Sequence, residues 1–190
     1  MVATSNNIEI LEFDDSNFYS SKLTASTFKN VKYSILSISE FIKANMHNAD
    51  NSLDMQKHII DFSNRDILIS DNYGWSKLTR IDVFDYALPV IRVDLENHSS
   101  IKIYNNYKIP LYRMNNYNIG FHGLRNYDYK KYEINDHNIN KGYVRAKRTE
   151  TFDDSDFVKI ISYELLEPEQ VCIIHTKPSS YNVNGINLID

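Results

Sequence analysis

The sequence predicts a mostly β protein, with one or two short helices. Apolar and polar residues alternate along most of the 190-residue chain, and clusters of Asn, Asp, Ser and Gly separate the alternating segments. Alternation with a period of two is the pattern of a strand with one buried face. The 14 Tyr residues favour the same class, because aromatic residues are enriched in strands. Since 42% of the residues are hydrophobic, we expect one compact domain with a sizeable core.

The predicted strands follow one another from the start of the chain to its end. In order they are "NNIEILEF", "RDILIS", "GWSKLTRIDVF", "LPVIRVDLEN", "SIKIYNNYKI", "KGYVRAKR", "FVKIISYELLEPEQVCIIHT" and "SYNVNGINL". The last of these alternates on both sides of Asn184 and Gly185. Both residue types tolerate positive φ and form two-residue hairpin turns, so we expect the final segment to be an ordered strand pair.

Two segments have helical character. In "SISEFIKANMH", Ser37 lies three residues before Glu40, which is the spacing of a capping box. In "SLDMQKHIIDF", Leu53, Met55 and Ile59 make a mixed apolar face, and we expect a second short helix there. Residues 14–29 and 115–138 show neither period, and they are predicted to be loops.

Charge and cysteine content exclude several classes of protein. A net charge of -4 and a pI of about 5.9 give no electrostatic basis for binding nucleic acid. No apolar stretch has the length that a membrane helix needs, and the N-terminus lacks the basic start and apolar block of a signal peptide, so we expect a cytoplasmic protein. The chain is cysteine-poor: Cys172 has no partner for an internal disulfide, and it is expected to be a small core residue.

No familiar enzyme motif is present. The sequence contains no P-loop, GxGxxG, HExxH or GxSxG pattern, and its six histidines are scattered. We therefore expect no cofactor and no metal site. His175 differs from the others because it ends the apolar run "VCII", which places it close to the core, where a hydrogen-bonded structural role is favoured.

The order of the segments resembles that of an intein, the self-excising protein domain of the Hint fold. In the first half, "ATSNNIEIL" resembles the opening strand, "VKYSILSISEFIK" the strand that leads into a short helix, and "DNYGWSKL" the following hairpin. In the second half, "IKIYNNYKI" resembles the strand pair that carries a Thr-x-x-His block, and "VNGINLID" the closing turn and strand. The resemblance covers nearly the whole chain and implies a horseshoe-like β fold.

The resemblance also implies a chemistry. In that family a hydroxyl or thiol at the first residue attacks the preceding carbonyl, the resulting ester is passed on by transesterification, and a terminal Asn then cyclises to cut the second junction. Hydrogen-bond donors stabilise the oxyanion, and an acid protonates the leaving amine. Both junctions must meet in one cleft, which explains why the end of such a chain is well ordered.

The resemblance places the first reacting positions as follows. Ala3 stands where the nucleophile is expected, and Ser5 is the alternative if the alignment shifts by two residues. Tyr104 and Tyr107 stand at the Thr and His of the Thr-x-x-His block. A phenol can donate a hydrogen bond to an oxyanion, but with an ordinary pKa near 10 it is a poor proton shuttle at neutral pH.

The closing positions depart from the family in the same way. Ile189 stands at the penultimate His and Asp190 at the terminal Asn, and His175 is the residue that could replace a missing acid or base. Two interpretations follow. Either this is a working intein inactivated by substitution or truncation, with Ser or Cys originally at Ala3 and the terminal Asn changed to Asp or lost after Asp190, or it is a degenerate, non-splicing Hint domain. "MV" ahead of Ala3 is typical of a start codon plus a remnant of flanking sequence, which favours the first.

We expect a single splicing domain over residues 1–190, with an N-terminal part of about 3–150, a C-terminal part of about 151–190 and no homing endonuclease. Its predicted partners are the flanking extein segments in cis, or the complementary half if the intein is split; no nucleic acid or membrane is expected, and the protein should be a monomer that reacts once. A rival from another class is a β-rich binding module of phage or viral type, with "RMNNYNIGFHGLRNYDYKKYE" as its recognition loop. Only the intein interpretation requires Ala3 and Asp190 to be near neighbours beside Tyr107.

Overall fold

The structure is a computed structural model, which describes residues 1–13, 31–46, 49–52, 56–71, 74–112, 129–146 and 157–189. Over this part of the chain one α-helix accompanies fourteen strands, and the prediction of a mostly β fold is confirmed. In chain order the elements are β1 Val2–Ala3, β2 Asn7–Phe13, β3 Val31–Ser37, α1 Ile38–Asn45, β4 Ala49–Ser52, β5 Lys57–Asp61, β6 Ile67–Asp71, β7 Gly74–Leu95, β8 Ser100–Tyr104, β9 Lys108–Tyr112, β10 Tyr129–Glu133, β11 Tyr143–Arg145, β12 Phe157–Lys177, β13 Ser180–Val183 and β14 Ile186–Ile189.

The strands form one large antiparallel sheet and one separate hairpin. The main path of the sheet runs β10-β9-β11-β12-β1-β8-β7-β6-β2-β3, with β5 pairing to β4 and β7 beside it. β13 and β14 pair only with each other among the described strands, apart from a single bridge between Ala146 and Ile186. The short strand β1 lies between β12 and β8, so the start of the chain is inside the sheet.

Two long strands form the axis of the molecule. β7 has 22 residues and β12 has 21, and they pair with each other from Leu95 and Ile160 at one end to Lys77 and Lys177 at the other. The sequence predicts two strands, "GWSKLTRIDVF" and "LPVIRVDLEN", where the structure has the single β7. Pro89 has no N–H to donate, and the register of β12 shifts opposite it, so the irregularity absorbs the proline without ending the strand.

Helix α1 begins where the capping box predicts. Ser37 Oγ accepts a hydrogen bond from the N–H of Glu40 at 3.2 Å, and Glu40 Oε2 accepts one from the N–H of Ser37 at 2.9 Å. The first two N–H groups of the helix donate to main-chain carbonyls near the start of the chain. Ile38 donates to the carbonyl of Asn6 at 2.9 Å, and Ser39 donates to the carbonyl of Thr4 at 2.8 Å. These two hydrogen bonds fix the start of the helix against the turn that follows β1.

The second predicted helix is wrong where the structure describes it. Residues 57–61 form β5, which pairs with β7. Gln56, directly before β5, has a φ of 48°, which is a turn conformation and not a helical one. Ile60 and Phe62 are fully buried while Asp61 between them is exposed, so the period is two. β-Branched residues favour strands, and pairing with β7 overrides the weak helical pattern.

The core is one large apolar cluster between the sheet and the β13–β14 hairpin. It includes Cys172, which is 0% exposed, as predicted, and the stacked rings of Phe41 and Phe62, whose centroids are 5.4 Å apart. Burial raises the pKa of the Cys172 thiol to about 12, so it is neither a nucleophile nor a ligand at neutral pH. Over the described residues, no helix has both the length and the apolar character needed to cross a bilayer.

Candidate functional site

The first residues of the chain lie on the turn between β8 and β9. Val2 pairs with Cys172 of β12 on one side and with Ile103 of β8 on the other, so β1 is paired with a strand along both of its edges. One residue earlier, the carbonyl of Met1 accepts a hydrogen bond from the N–H of Tyr104 at 3.2 Å. The backbone of residue 1, rather than that of Ala3, therefore contacts the segment that contains Tyr104 and Tyr107.

The Tyr104–Tyr107 segment is a tight turn. The N–H of Tyr107 donates to the carbonyl of Tyr104 at 2.8 Å, and the N–H of Asn105 donates to the carbonyl of Pro89 at 3.1 Å. The side chain of Asn106 donates to the phenol of Tyr104 at 3.3 Å, and the ring of Tyr107 packs against the main core. This turn is anchored at both ends and presents the main chain of Tyr104 to residue 1.

Ala3 lies within the sheet and not in an open cleft. Its side chain is 0% exposed and belongs to a small apolar cluster with Val90 and Val171, while Val2 points into the main core. Its carbonyl accepts hydrogen bonds from Asn6, from the main chain at 3.2 Å and from the side-chain amide at 2.9 Å. The position assigned to the nucleophile is thus two residues beyond the one that meets the Tyr104 turn.

Ser5, the alternative nucleophile, is part of a charged group on the surface. Its hydroxyl donates to Glu169 Oε2, and Lys102 Nζ lies 2.6 Å from Glu169 Oε1. Partial burial tends to raise the pKa of Glu169, but the hydrogen bonds from Lys102 and Ser5 and the positive charge of Lys102 together hold it below its usual range. The Ser5 hydroxyl faces an ionised carboxylate, and the group ties the turn after β1 to β8 and β12.

The turn between β13 and β14 is hydrogen-bonded to the start of β2. Asn184 and Gly185 have φ values of 49° and 75°, which confirms the predicted hairpin turn. The N–H of Asn184 donates to the carbonyl of Asn7 at 2.9 Å, and Asn184 Oδ1 accepts from the N–H of Asn7 at 2.7 Å. An open cleft of about 400 Å³ lies beside this turn, with Glu9 and Ser100 in its lining.

Two side-chain amides complete the same junction. Asn184 Nδ2 donates to Asn6 Oδ1 at 3.1 Å and to the carbonyl of Ser100 at 2.9 Å. Asn6 is 2% exposed, and its Nδ2 donates to the carbonyl of Lys102 at 2.7 Å as well as to that of Ala3. These residues connect the final hairpin with β1 and β8, although sequence reasoning assigned no role to Asn6 and only a turn to Asn184.

The other side of the hairpin rests on a buried polar group from β6. Asn182 Nδ2 donates to Ser70 Oγ at 3.2 Å, and both residues are buried. Asp71, 3% exposed, accepts a hydrogen bond from the hydroxyl of Ser76 and lies 3.5 Å from the hydroxyl of Ser180. Burial of so many polar groups is tolerated because each is hydrogen-bonded, and it fixes which face of the hairpin meets the sheet.

The closing positions are described in part. Ile189 is the last residue of β14 and lies opposite Ser180 in the hairpin. Asp190 lies outside the described residues, so the predicted proximity of Ala3 and Asp190 stays a prediction. Most of the recognition loop of the rival binding module, residues 113–128, also lies outside them.

His175 has a structural environment. It pairs with Arg80 across the β7–β12 ladder, and its Nε2 lies 3.3 Å from a guanidinium nitrogen of Arg80 and 3.5 Å from Asp82 Oδ2. Asp82 is 2% exposed, and Lys57 Nζ lies 3.2 Å from the same oxygen. This charged group sits on the paired strands β7 and β12. The hydrogen-bonded role that the sequence favours for His175 fits these contacts.

The fold has many counterparts among solved structures. The chain aligns over 100% of its length with 100% of the transcription factor IIB Mvu mini-intein, with a TM-score of 0.69 and 15% identity. It aligns over 100% of its length with 99% of an intein from a hyperthermophile, with a TM-score of 0.62 and 12% identity. A third similar structure is the KlbA intein precursor from Methanococcus jannaschii, with a TM-score of 0.60 and 13% identity over 99% of this chain and 89% of that one.

Sequence comparisons give no such match. No protein-family model matches the chain, and the search of curated proteins returned no match. At identities of 15% or less the likeness is one of fold, and it extends over the full length of the chain. The internal β1, the paired long strands and the docked final hairpin are therefore features of a known architecture. The chain has the fold of the inteins.

Proposed function

We propose that this domain is a protein-splicing element whose present sequence lacks the reacting side chains. The observation that supports this best is the junction at Asn184: the turn of the final hairpin is hydrogen-bonded to the segment that directly follows β1. A domain that cuts and rejoins its own flanks needs its beginning and its end in one place. An ordinary binding module has no such need.

The first step of the proposed reaction is an acyl shift at the N-terminal junction. A thiol or hydroxyl at the reacting position attacks the carbonyl carbon of the preceding residue, the C–N bond breaks, and the released amine takes up a proton. The carbonyl of Met1 accepts from the N–H of Tyr104, so residue 1 is the part of the N-terminal segment that lies beside this turn. We therefore propose residue 1 as the reacting position, with the scissile carbonyl on the flanking residue before it, and keep Ala3 as the alternative.

The later steps involve the other end. A hydroxyl or thiol on the residue after the second junction attacks the ester, which transfers the N-terminal flank. An Asn at position 190 then attacks its own carbonyl through the side-chain nitrogen, the following C–N bond breaks, and a succinimide forms. Asp190 cannot form this succinimide, since its side chain has no nitrogen to attack with, and attack by a carboxylate oxygen would give a cyclic anhydride instead. Neither Met1 nor Ala3 has a nucleophile.

The test is to restore these groups. The domain is placed between two reporter proteins with Asp190→Asn followed by Thr, and with either Met1→Cys or Ala3→Cys. We expect a ligated reporter product, and the mass of the excised domain identifies the first residue of the splicing element. The same two precursors with Asp190 retained are the matched controls and should give no ligation.

A second candidate is a Hint domain that no longer splices. Tyr104 and Tyr107 favour it, because two phenols stand where the family has a hydroxyl and an imidazole. Intact precursor from both restored versions, with a thiol reagent releasing neither reporter, would support this candidate and contradict splicing. If the domain splices, we propose that its reacting partners are the flanking segments of the same chain, or the complementary half if the intein is split.

A further inference from the structure

Asn6 and Asn184 form a clasp between the two ends of the domain. Here the clasp means these two side-chain amides and their hydrogen bonds. Asn6 uses every hydrogen-bonding position of its amide: Nδ2 donates to the carbonyls of Ala3 and Lys102, and Oδ1 accepts from the N–H of Lys102 at 3.0 Å and from Asn184 Nδ2. A buried amide with four hydrogen bonds to three parts of the chain holds those parts in a fixed arrangement.

The clasp is more than the hairpin needs. A two-residue turn requires positive φ at Asn184, and Gly supplies that conformation without a side chain. The amide of Asn184 instead reaches out of the hairpin, to Asn6, to the carbonyl of Ser100 and to the main chain of Asn7. Its contacts therefore serve the docking of the hairpin and not the turn itself.

Both junction-bearing segments are attached to this point. On one side Asn6 holds the carbonyl of Ala3, and β1 runs from there back to Met1. On the other side Asn184 begins the turn from which β14 runs to Ile189. Strands are stiff over four residues, so the placement of the turn sets the placement of the strand end.

We propose that the clasp is the positioning device that couples the two junctions. This inference rests on the proposed splicing function. Asn6 and Asn184 are positioning residues, since they hold the reacting segments and take no part in bond breaking. Without the clasp each junction still reacts by itself, but the transfer between them requires both in one geometry, so cleavage replaces ligation.

The test uses Asn184→Gly in the precursor that splices. Gly keeps the positive φ and removes only the amide. We expect the ratio of ligated to cleaved reporter to fall about tenfold or more, while thiol-induced release of the N-terminal reporter stays within about twofold, because misplacement of about 1 Å can reduce a rate by 10²-fold. The matched control is Gln56→Gly, another positive-φ residue in a turn, and it should leave the ratio unchanged.

A second variant and a second readout complete the design. Asn6→Ala removes the other half of the clasp, and the double variant should lower the ratio no further than the stronger single variant, because both remove one shared contact. Additive effects, or an unchanged ratio in Asn184→Gly, would overturn the inference.

Amide hydrogen exchange tests the clasp independently of splicing, in the chain as it stands. Asn184→Gly should speed exchange in both residues 1–7 and 181–189, and Gln56→Gly in neither. Faster exchange only in the hairpin would refute the coupling. If restored precursors fail to splice while both segments loosen together, the proposed function fails and the mechanical coupling stands.

Discussion

Glu169 is the described carboxylate whose environment gives the clearest pH dependence. Its pKa lies below the ordinary value of 4.5, because hydrogen bonds from Lys102 and Ser5 outweigh partial burial. A lowered pKa in the folded state means that the unfolded chain binds a proton more readily. The ionised form therefore stabilises the fold above about pH 4.5, and this contribution is lost as the pH falls through the lower folded value.

We expect Glu169→Gln to flatten that dependence. Urea unfolding measured from about pH 6 to about pH 3 should show a smaller loss of the free energy of unfolding in Glu169→Gln than in the parent. Glu167→Gln, at an exposed position of the same strand, is the control and should follow the parent. Parallel curves for the parent and Glu169→Gln would show that the contacts of Glu169 add no stability.

Single residues were predictable where one local rule decides. The turn at Asn184 and Gly185 follows from positive φ, and the burial of Cys172 follows from the apolar run around it. Asn6 was not predictable, because its role depends on partners 96 and 178 positions away. A large aromatic residue such as Trp75 is expected in the core from its type alone. It is instead 37% exposed and meets the edge of the Tyr33 ring, since it lies on the outer face of the β6–β7 hairpin.

At the scale of elements, α1 depends on its first turn. Ser37→Ala removes the oxygen that accepts from the N–H of Glu40, and the loss of such a cap should lower the free energy of unfolding by about 1 kcal/mol. Chemical denaturation measures this directly. Ser39→Ala, two residues after Ser37 in the first turn of the helix, keeps the cap and should change stability much less. Equal losses in both variants would contradict the role of the cap.

The elements that sequence reasoning missed depend on distant partners. The segment around Ile60 has a mixed pattern, and only its pairing with β7 makes it a strand. β7 was predicted as two strands, and Pro89, near the start of the second, is a residue that a central strand rarely contains. The register shift in β12 opposite Pro89 resolves this, and nothing near Pro89 in the sequence signals it.

At the scale of the whole molecule, β12 joins parts that are far apart in the chain. It pairs with β7 along nearly its full length, with β11 near its start and with β1 near its end. We therefore expect separately produced 1–150 and 151–190 pieces to associate one to one when mixed, which size-exclusion chromatography with mass determination can show. Val171→Asp in the shorter piece, which buries a carboxylate beside Ala3, should abolish association. Pieces that elute separately without this substitution would contradict the expectation.

The overall architecture was more predictable than the site. Strand, helix and turn signals are local, so their order can be read from the sequence. That order predicted the fold that the structure has. The placement of Met1 against Tyr104 was not visible, since it depends on how β1 enters the sheet between two strands from the middle and end of the chain.

The register of β11 with β12 has a practical consequence. Arg145 lies opposite Phe157, so the eleven-residue connection between them starts and finishes at adjacent points on the sheet. The entropy cost of lengthening a loop whose ends are already together grows only with the logarithm of its length. We therefore expect this connection to accept the insertion of a foreign folded protein with neighbouring termini, such as a fluorescent marker, while the strands on either side keep their pairing.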